Sequence, residues 1–400
     1  MKPFNPVGML VVLTLLEGLS AFGRTSALSP FLPSLCSDLS LSMTQISGTY
    51  MLANLIAGLL LPFVGKFYDR TGLSHFVKAF VIIFGTSFIL IGILHVQPMR
   101  VWHWYPLAVL GCAFIGIRTA VQAYTLAGRS WLATHFSQRR GFATGCVQLC
   151  VTMVTASTPV ICYNISRHWT WGMFFGTLGT GWLIGLLICP FLSDEKPSKA
   201  SNSVPTQRSF GDHRALFVFI WIILFFRNAQ NSGIAFHLVP MCLDFGVNPK
   251  TVSAAFMPIS LLAVGMTFLF GHCFKRVGSR TVLGLFLLSD AGMLHAVKHI
   301  DADGMLGLFI ACTGIYWGVN NIIASMVIPA LFGVRRIGAL NGFAFGAVSL
   351  GSAIGPFYFG VMKDAISYQS ALTLCIGGVW LLLCLFAFLQ SRIKSAEVEA

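Results

Sequence analysis

Twelve apolar runs, each long enough to cross a bilayer, pace this chain from end to end. They fall at about 7–32, 45–65, 76–96, 104–127, 141–163, 171–192, 215–241, 251–274, 281–298, 305–332, 339–361 and 371–389. A membrane span needs roughly 20 apolar residues. Barrel strands are shorter and alternate in hydrophobicity, so runs of this kind have to be helices. Twelve spans use roughly 240 residues at ~20 each, which leaves short loops and no sizeable soluble domain. Composition agrees. Only 10% of the residues are charged, 56% are hydrophobic and the mean hydropathy is +0.78, whereas a soluble domain carries about 25% charged residues. A soluble globular protein and a disordered chain are both excluded.

The longest polar stretch, 193–214, is rich in Ser, Lys and Pro and divides the runs six and six. The expected organisation is therefore a bundle over 1–192, a linker over 193–214 and a second bundle over 215–400. Lys2 precedes the first run without a small-residue cleavage site, so that run is expected to be a retained helix and not a signal peptide. The net charge of +13 would suggest nucleic acid in a soluble protein. In a membrane protein it reflects Lys and Arg concentrated in cytoplasmic loops. With both termini cytoplasmic, the inner segments hold 18 Lys and Arg and the outer ones five. The expectation is an inner (plasma) membrane protein of bacterial type, a monomer, with the bilayer and not nucleic acid as its partner. The 11 cysteines form no C-x-x-C pair and read as packing residues. No P-loop, H-E-x-x-H or G-x-S-x-G motif occurs, so no enzyme activity, cofactor or metal is expected.

The two halves repeat. A shift of 206 residues maps Cys36, Asp38, Ser47, Gly65, Arg70 and Gly72 onto Cys242, Asp244, Ser253, Gly271, Arg276 and Gly278 without a gap. A six-helix unit used twice is the plan of many secondary transporters, which bind substrate near the midplane between the repeats.

The segment Gly65-Lys66-Phe67-Tyr68-Asp69-Arg70-Thr71-Gly72 resembles the G-x-x-x-D-R-x-G loop of the major facilitator superfamily, and Gly271 to Arg280 is its counterpart in the second half. The resemblance covers essentially the whole chain. It implies an all-α membrane protein of twelve transmembrane helices in two pseudo-symmetric six-helix bundles. It also implies a conformational latch in which Gly65, Asp69, Arg70, Gly72, Gly271 and Arg276 take part; the glycines permit a tight turn and close helix approach. Lys275 stands where the family usually has an acid. Residues 135–145 resemble the entry to helix 5 of monocarboxylate porters and oxalate/formate-type antiporters, and Glu17-Gly18 with Ala21 and Phe22 partly resembles their helix-1 signature. Residues 251–273 lack the acid and arginine that the animal monocarboxylate porters carry in helix 8.

Charges inside a bilayer are costly and usually face the bundle interior or a watery cavity. Arg24, Arg118 and Arg227 lie in runs one, four and seven, which the family resemblance places around the central cavity. Thr14, Glu17, Ser20 and Arg24 share a helical stripe. Asn231, Tyr316 and Asn320 offer polar groups in runs seven and ten. An arginine fork matches carboxylate or phosphate. The expected substrate is a small organic anion, a mono- or dicarboxylate, clamped by Arg118 and Arg227 with help from Arg24 and oriented by Asn231, Tyr316 and Asn320. Glu17 is the candidate proton-coupling group. Only two intramembrane acids, Glu17 and Asp290, face the three arginines, so at least one arginine lacks an acidic partner. An organophosphate/phosphate antiporter, an efflux carrier for a drug or metabolite, and a non-transporting nutrient sensor on the same scaffold remain alternatives.

Overall fold

Hydrocarbon offers the backbone no hydrogen-bond partner, so each apolar run satisfies its own N–H and C=O groups as a helix. The computed structural model describes residues 6–96, 104–135, 140–187, 214–332 and 337–399. Its main helices are α1 (Pro6–Leu19), α2 (Leu32–Leu39), α3 (Met43–Thr71), α4 (Leu73–Val96), α5 (Tyr105–His135), α6 (Arg140–Ser166), α7 (Trp171–Ile184), α8 (Arg214–Asp244), α9 (Phe256–Lys298), α10 (Met305–Ile322), α11 (Ile337–Ala365) and α12 (Tyr368–Glu399). Among the described residues, 11 helices are long and apolar enough to cross a membrane, and a shorter apolar helix covers Trp171–Leu187. The chain is a multi-pass integral membrane protein. It divides into two compact units, residues 1–201 with 235–240, and residues 202–234 with 241–400. Of the expected linker, 193–214, only Arg214 is described, at the start of α8; residues 193–213, 136–139 and 333–336 lie outside the described residues.

The internal repeat is visible in the backbone. Ser40 (φ 54°) and Gly246 (φ 69°) are both left-handed. Beside them Leu41 N–H donates to Cys36 O at 3.0 Å, and Val247 N–H donates to Cys242 O at 2.9 Å. Two residues on, Ser42 Oγ accepts from Gln45 N–H and caps α3, while Asn248 Oδ1 accepts from Lys250 N–H and caps the short helix Pro249–Ala254. Gly72 (φ 77°, ψ 171°) separates α3 from α4, and Gly278 (φ 74°, ψ 164°) breaks the single long helix α9. Both fall in a region of backbone space that only glycine occupies without strain. Each of these pairs is 206 residues apart.

This corrects one expectation. Of the motif glycines, Gly72 makes a turn, as does Gly278, the last glycine of the second copy. Gly65 lies inside α3 and Gly271 inside the first half of α9. A side chain at Gly65 would meet open space. Asp69, Arg70 and Arg276 are exposed, and none makes an ion pair among the described residues.

Aromatic side chains fill the first unit. Phe88 stacks on Phe175 at 5.7 Å and Tyr124 on Trp182 at 5.4 Å. Helices α4 and α7 meet backbone to backbone, with Gly92 against Gly176 and Gly85 against Gly179, the small-residue packing that membrane helices favour. In the second unit Gly351 and Gly355 of α11 lie against the carbonyls of Phe225 and Ala229 in α8, and Ser232 Oγ donates to Ser352 O at 2.8 Å. Gly351 and Gly355 thus serve close packing, whereas a Cβ at Gly346 would meet nothing within 4 Å.

Candidate functional site

The first run is not one straight helix. After α1 the backbone tightens into a 3-10 turn at Ser20–Gly23 and becomes extended at Arg24 (φ −88°, ψ 166°) before a new turn starts at Thr25. Gly23 allows this, because Ile117 and Phe84 press on its Cα where a side chain would stand. The stripe Thr14–Glu17–Ser20–Arg24 expected from helical spacing therefore ends at Ser20, and Arg24 sits at the break.

Around that break the first unit assembles a polar cluster. Glu17 is 8% exposed, and its Oε1 accepts from Thr125 Oγ1 at 3.1 Å. Gly128 leaves room for its other oxygen, since a Cβ there would come within 3.3 Å of Oε2. Arg118 Nε donates to Asn54 Oδ1, and its guanidinium lies 5.6 Å from the Tyr50 ring centre. Asn54 Nδ2 in turn donates to the Tyr50 carbonyl at 3.1 Å. Arg24 lies near enough to Glu17, Arg118 and Tyr50 to feel their charges, and Tyr50 lies near Arg118. Nε of Arg24 and Oε1 of Gln122, one turn beyond Arg118, are buried without a hydrogen-bond partner among the described residues. Two guanidinium groups here face one buried carboxylate.

The second unit is balanced. Arg227 Nη1 lies 2.9 Å from Asp290 Oδ1, and the two side chains are 1% and 2% exposed. The contact is an ion pair without an aligned hydrogen bond, because no guanidinium nitrogen of Arg227 meets hydrogen-bond geometry. Tyr316 supplies a second contact, its ring centre 3.3 Å from the Arg227 guanidinium carbon, a cation–π arrangement. Gln230, with its amide turned to donate, reaches both carboxylate oxygens of Asp290 at 2.8 and 2.9 Å. Asn231 Oδ1 accepts from Trp317 Nε1 at 3.2 Å, and Asn320 Oδ1 is buried without a partner.

The structure therefore gathers Glu17, Arg24 and Arg118 in one unit. It sets Arg227, expected as an anion clamp, against Asp290 and Tyr316. Tyr316, expected to orient substrate, is 2% exposed beneath that guanidinium. Tyr50 and Asn54 were missed by sequence reasoning. Their i, i+4 spacing in α3 was the available signal, but nothing in the sequence pairs them with an arginine 64 positions away.

A sequence model of the Major Facilitator Superfamily matches residues 120–356. No curated protein sequence matches the chain. In three dimensions it is similar to a bacterial homologue of the human lysosomal transporter Spinster in an inward-facing, unoccupied conformation, with a TM-score of 0.74 over 98% of both chains at 14% identity. The same homologue in its occupied conformation gives 0.71 over 98% of this chain and 97% of that one, at 15% identity. The nucleoside transporter NupG gives 0.70 over 96% and 98%, at 13% identity. At these identities the likeness is one of fold.

Proposed function

The chain belongs to the major facilitator superfamily, and from that premise we propose that it is a secondary carrier of a small organic anion, a mono- or dicarboxylate, working by alternating access. Family and fold place it among transporters rather than enzymes. In this reading the protein has twelve spans, the twelfth being completed by Trp171–Leu187, and both termini are cytoplasmic.

The observation that carries the anion is the charge surplus in the first unit. Charges within a bilayer are costly unless paired or facing a watery cavity, and the half-buried Arg24 and Arg118 stand in a unit where Glu17 is the buried carboxylate nearby, with no ion pair to either among the described residues. A substrate carboxylate supplies the missing negative charge. Arg118 is the main contact, since Asn54 and Tyr50 hold its guanidinium in place. Arg24 assists from the helix break, where its Nε is unpaired. Gln122 supplies a carbonyl oxygen, unpaired among the described residues, for a polar group of the substrate. Arg227, Tyr316 and Gln230 hold the second unit together through Asp290. Glu17 is the candidate proton carrier, and Asp69 and Arg70 take part in the conformational latch.

The test is uptake of labelled mono- and dicarboxylates into proteoliposomes. Wild type takes them up saturably. Arg118→Ala abolishes uptake while the protein still elutes as a folded species. Absence of uptake by wild type, or undiminished uptake by both Arg118→Ala and Arg24→Ala, refutes the reading.

A further inference from the structure

A cavity of about 610 Å³ lies wholly within the first unit, away from the polar cluster. Its walls are two stripes at helical spacing, including Leu16 and Leu19 from α1 and Thr177, Gly181 and Gly185 from α7 and the turn after it. One end is closed where the rings of Phe22 and Phe174 meet at 6.4 Å. Near that end, just before α7, stands Trp169, which is 42% exposed. Leu19, at 45% exposed, opens the groove sideways.

Water does not suit this space. A buried water needs two to four polar partners, and Thr177 brings the one hydroxyl in the wall. Substrate anions do not suit it either, because no charged side chain lines it. Of the helices around it, α1, α4 and α6 are long and apolar enough to cross a membrane and α7 is a shorter apolar helix, so hydrocarbon is what its open side faces. From Phe174 to Gly185 the groove runs about 16 Å at 1.5 Å per residue. That matches one leaflet's share, about 15 Å, of a ~30 Å hydrocarbon core.

The ends differ in the way a lipid requires. Trp169 is of the residue type enriched at membrane–water boundaries, and it lies in the turn between two apolar helices. Two residues before it Arg167 is exposed and makes no ion pair among the described residues. An arginine fork there suits a phosphate. At the other end Gly181 and Gly185 leave the wall open, since a Cβ at either would meet nothing within 4 Å.

We infer that this groove is a binding site for one phospholipid, its acyl chain lying along α1 and α7 and its phosphate held at Arg167 beside Trp169. The bound chain completes the wall of the first unit that the protein's own side chains leave unfilled.

The glycines make the test clean. A Cβ at Gly181 meets no protein atom within 4 Å, so Gly181→Phe places its ring in the groove, and Gly265→Phe adds the same bulk at an equally open position outside it. The proteins are reconstituted with phosphatidylglycerol and phosphatidylethanolamine, extracted in mild detergent, and examined by native mass spectrometry. Wild type and Gly265→Phe retain one phospholipid, Gly181→Phe loses it, and Arg167→Ala retains at least threefold less. In wild type, a phospholipid with a diazirine at its chain tip crosslinks to residues 12–22 or 174–185 above all other segments. The inference is overturned if wild type retains no phospholipid or if Gly181→Phe retains as much as wild type. It is equally overturned if Gly265→Phe loses as much as Gly181→Phe, or if the diazirine labels all lipid-facing helices evenly.

Discussion

Removing Asp290 tests how the second unit is held together. Asp290→Ala leaves Arg227 with its charge, 1% exposed, and no acid to balance it. Breaking a buried pair by deleting one partner costs about 3–5 kcal/mol. For a unit of this size, each kcal/mol shifts the melting midpoint by roughly 2–4 °C, so Tm should fall by roughly 6–20 °C. The double variant Arg227→Met with Asp290→Leu removes both charges at similar volume. It still leaves the Gln230 amide without its acceptor, at about 1–3 kcal/mol. Its Tm should therefore lie between those of the single variant and wild type. The assay is thermal unfolding of detergent-purified protein followed by tryptophan fluorescence at one scan rate. A double variant that melts as low as Asp290→Ala, or lower, would refute the claim that the two charges compensate one another. The same protein tests the site assignment. Carboxylate uptake should survive in the double variant, and loss of uptake in a folded double variant would return Arg227 to the substrate.

Two further perturbations separate turn from motif and proton from anion. Gly72→Ala forces a side chain into a glycine-only backbone region at a cost of about 1–3 kcal/mol. Gly65→Ala adds a methyl group in open space inside a helix and should be neutral or slightly stabilising, because alanine favours helix by about 1 kcal/mol over glycine; equal Tm losses in the two would refute this division of the motif. Glu17→Gln keeps an oxygen for Thr125 to donate to but removes the titrating proton. Uptake should then no longer respond to an imposed pH gradient, and an undiminished response would clear Glu17 of coupling.

The reach of the sequence is clearest at the repeat. Ser40 and Gly246, Ser42 and Asn248, and Gly72 and Gly278 do the same backbone work 206 residues apart. The shift of numbering showed Gly72 and Gly278 because the residue is the same, whereas Ser40 with Gly246 and Ser42 with Asn248 differ in type and were paired by the backbone. The apolar runs were legible because hydrocarbon forces a helix on any segment that must satisfy its own backbone. Local reading began to fail at the break near Arg24. There the pressure of Ile117 and Phe84 on Gly23 comes from other helices, and spacing along one run does not contain it.

Sequence alone thus indicated apolar helical segments, a 206-residue repeat along them, and an imbalance of three arginines against two acids within those segments. Tertiary structure alone decided who answers whom. Asp290 rather than Glu17 balances Arg227. Asn54 holds Arg118 from 64 positions away, and Thr125 holds Glu17 from 108. Helix formation follows from each segment's own chemistry. Partnership between side chains depends on how each helix is rotated and crossed against its neighbours, which packing across the whole unit fixes.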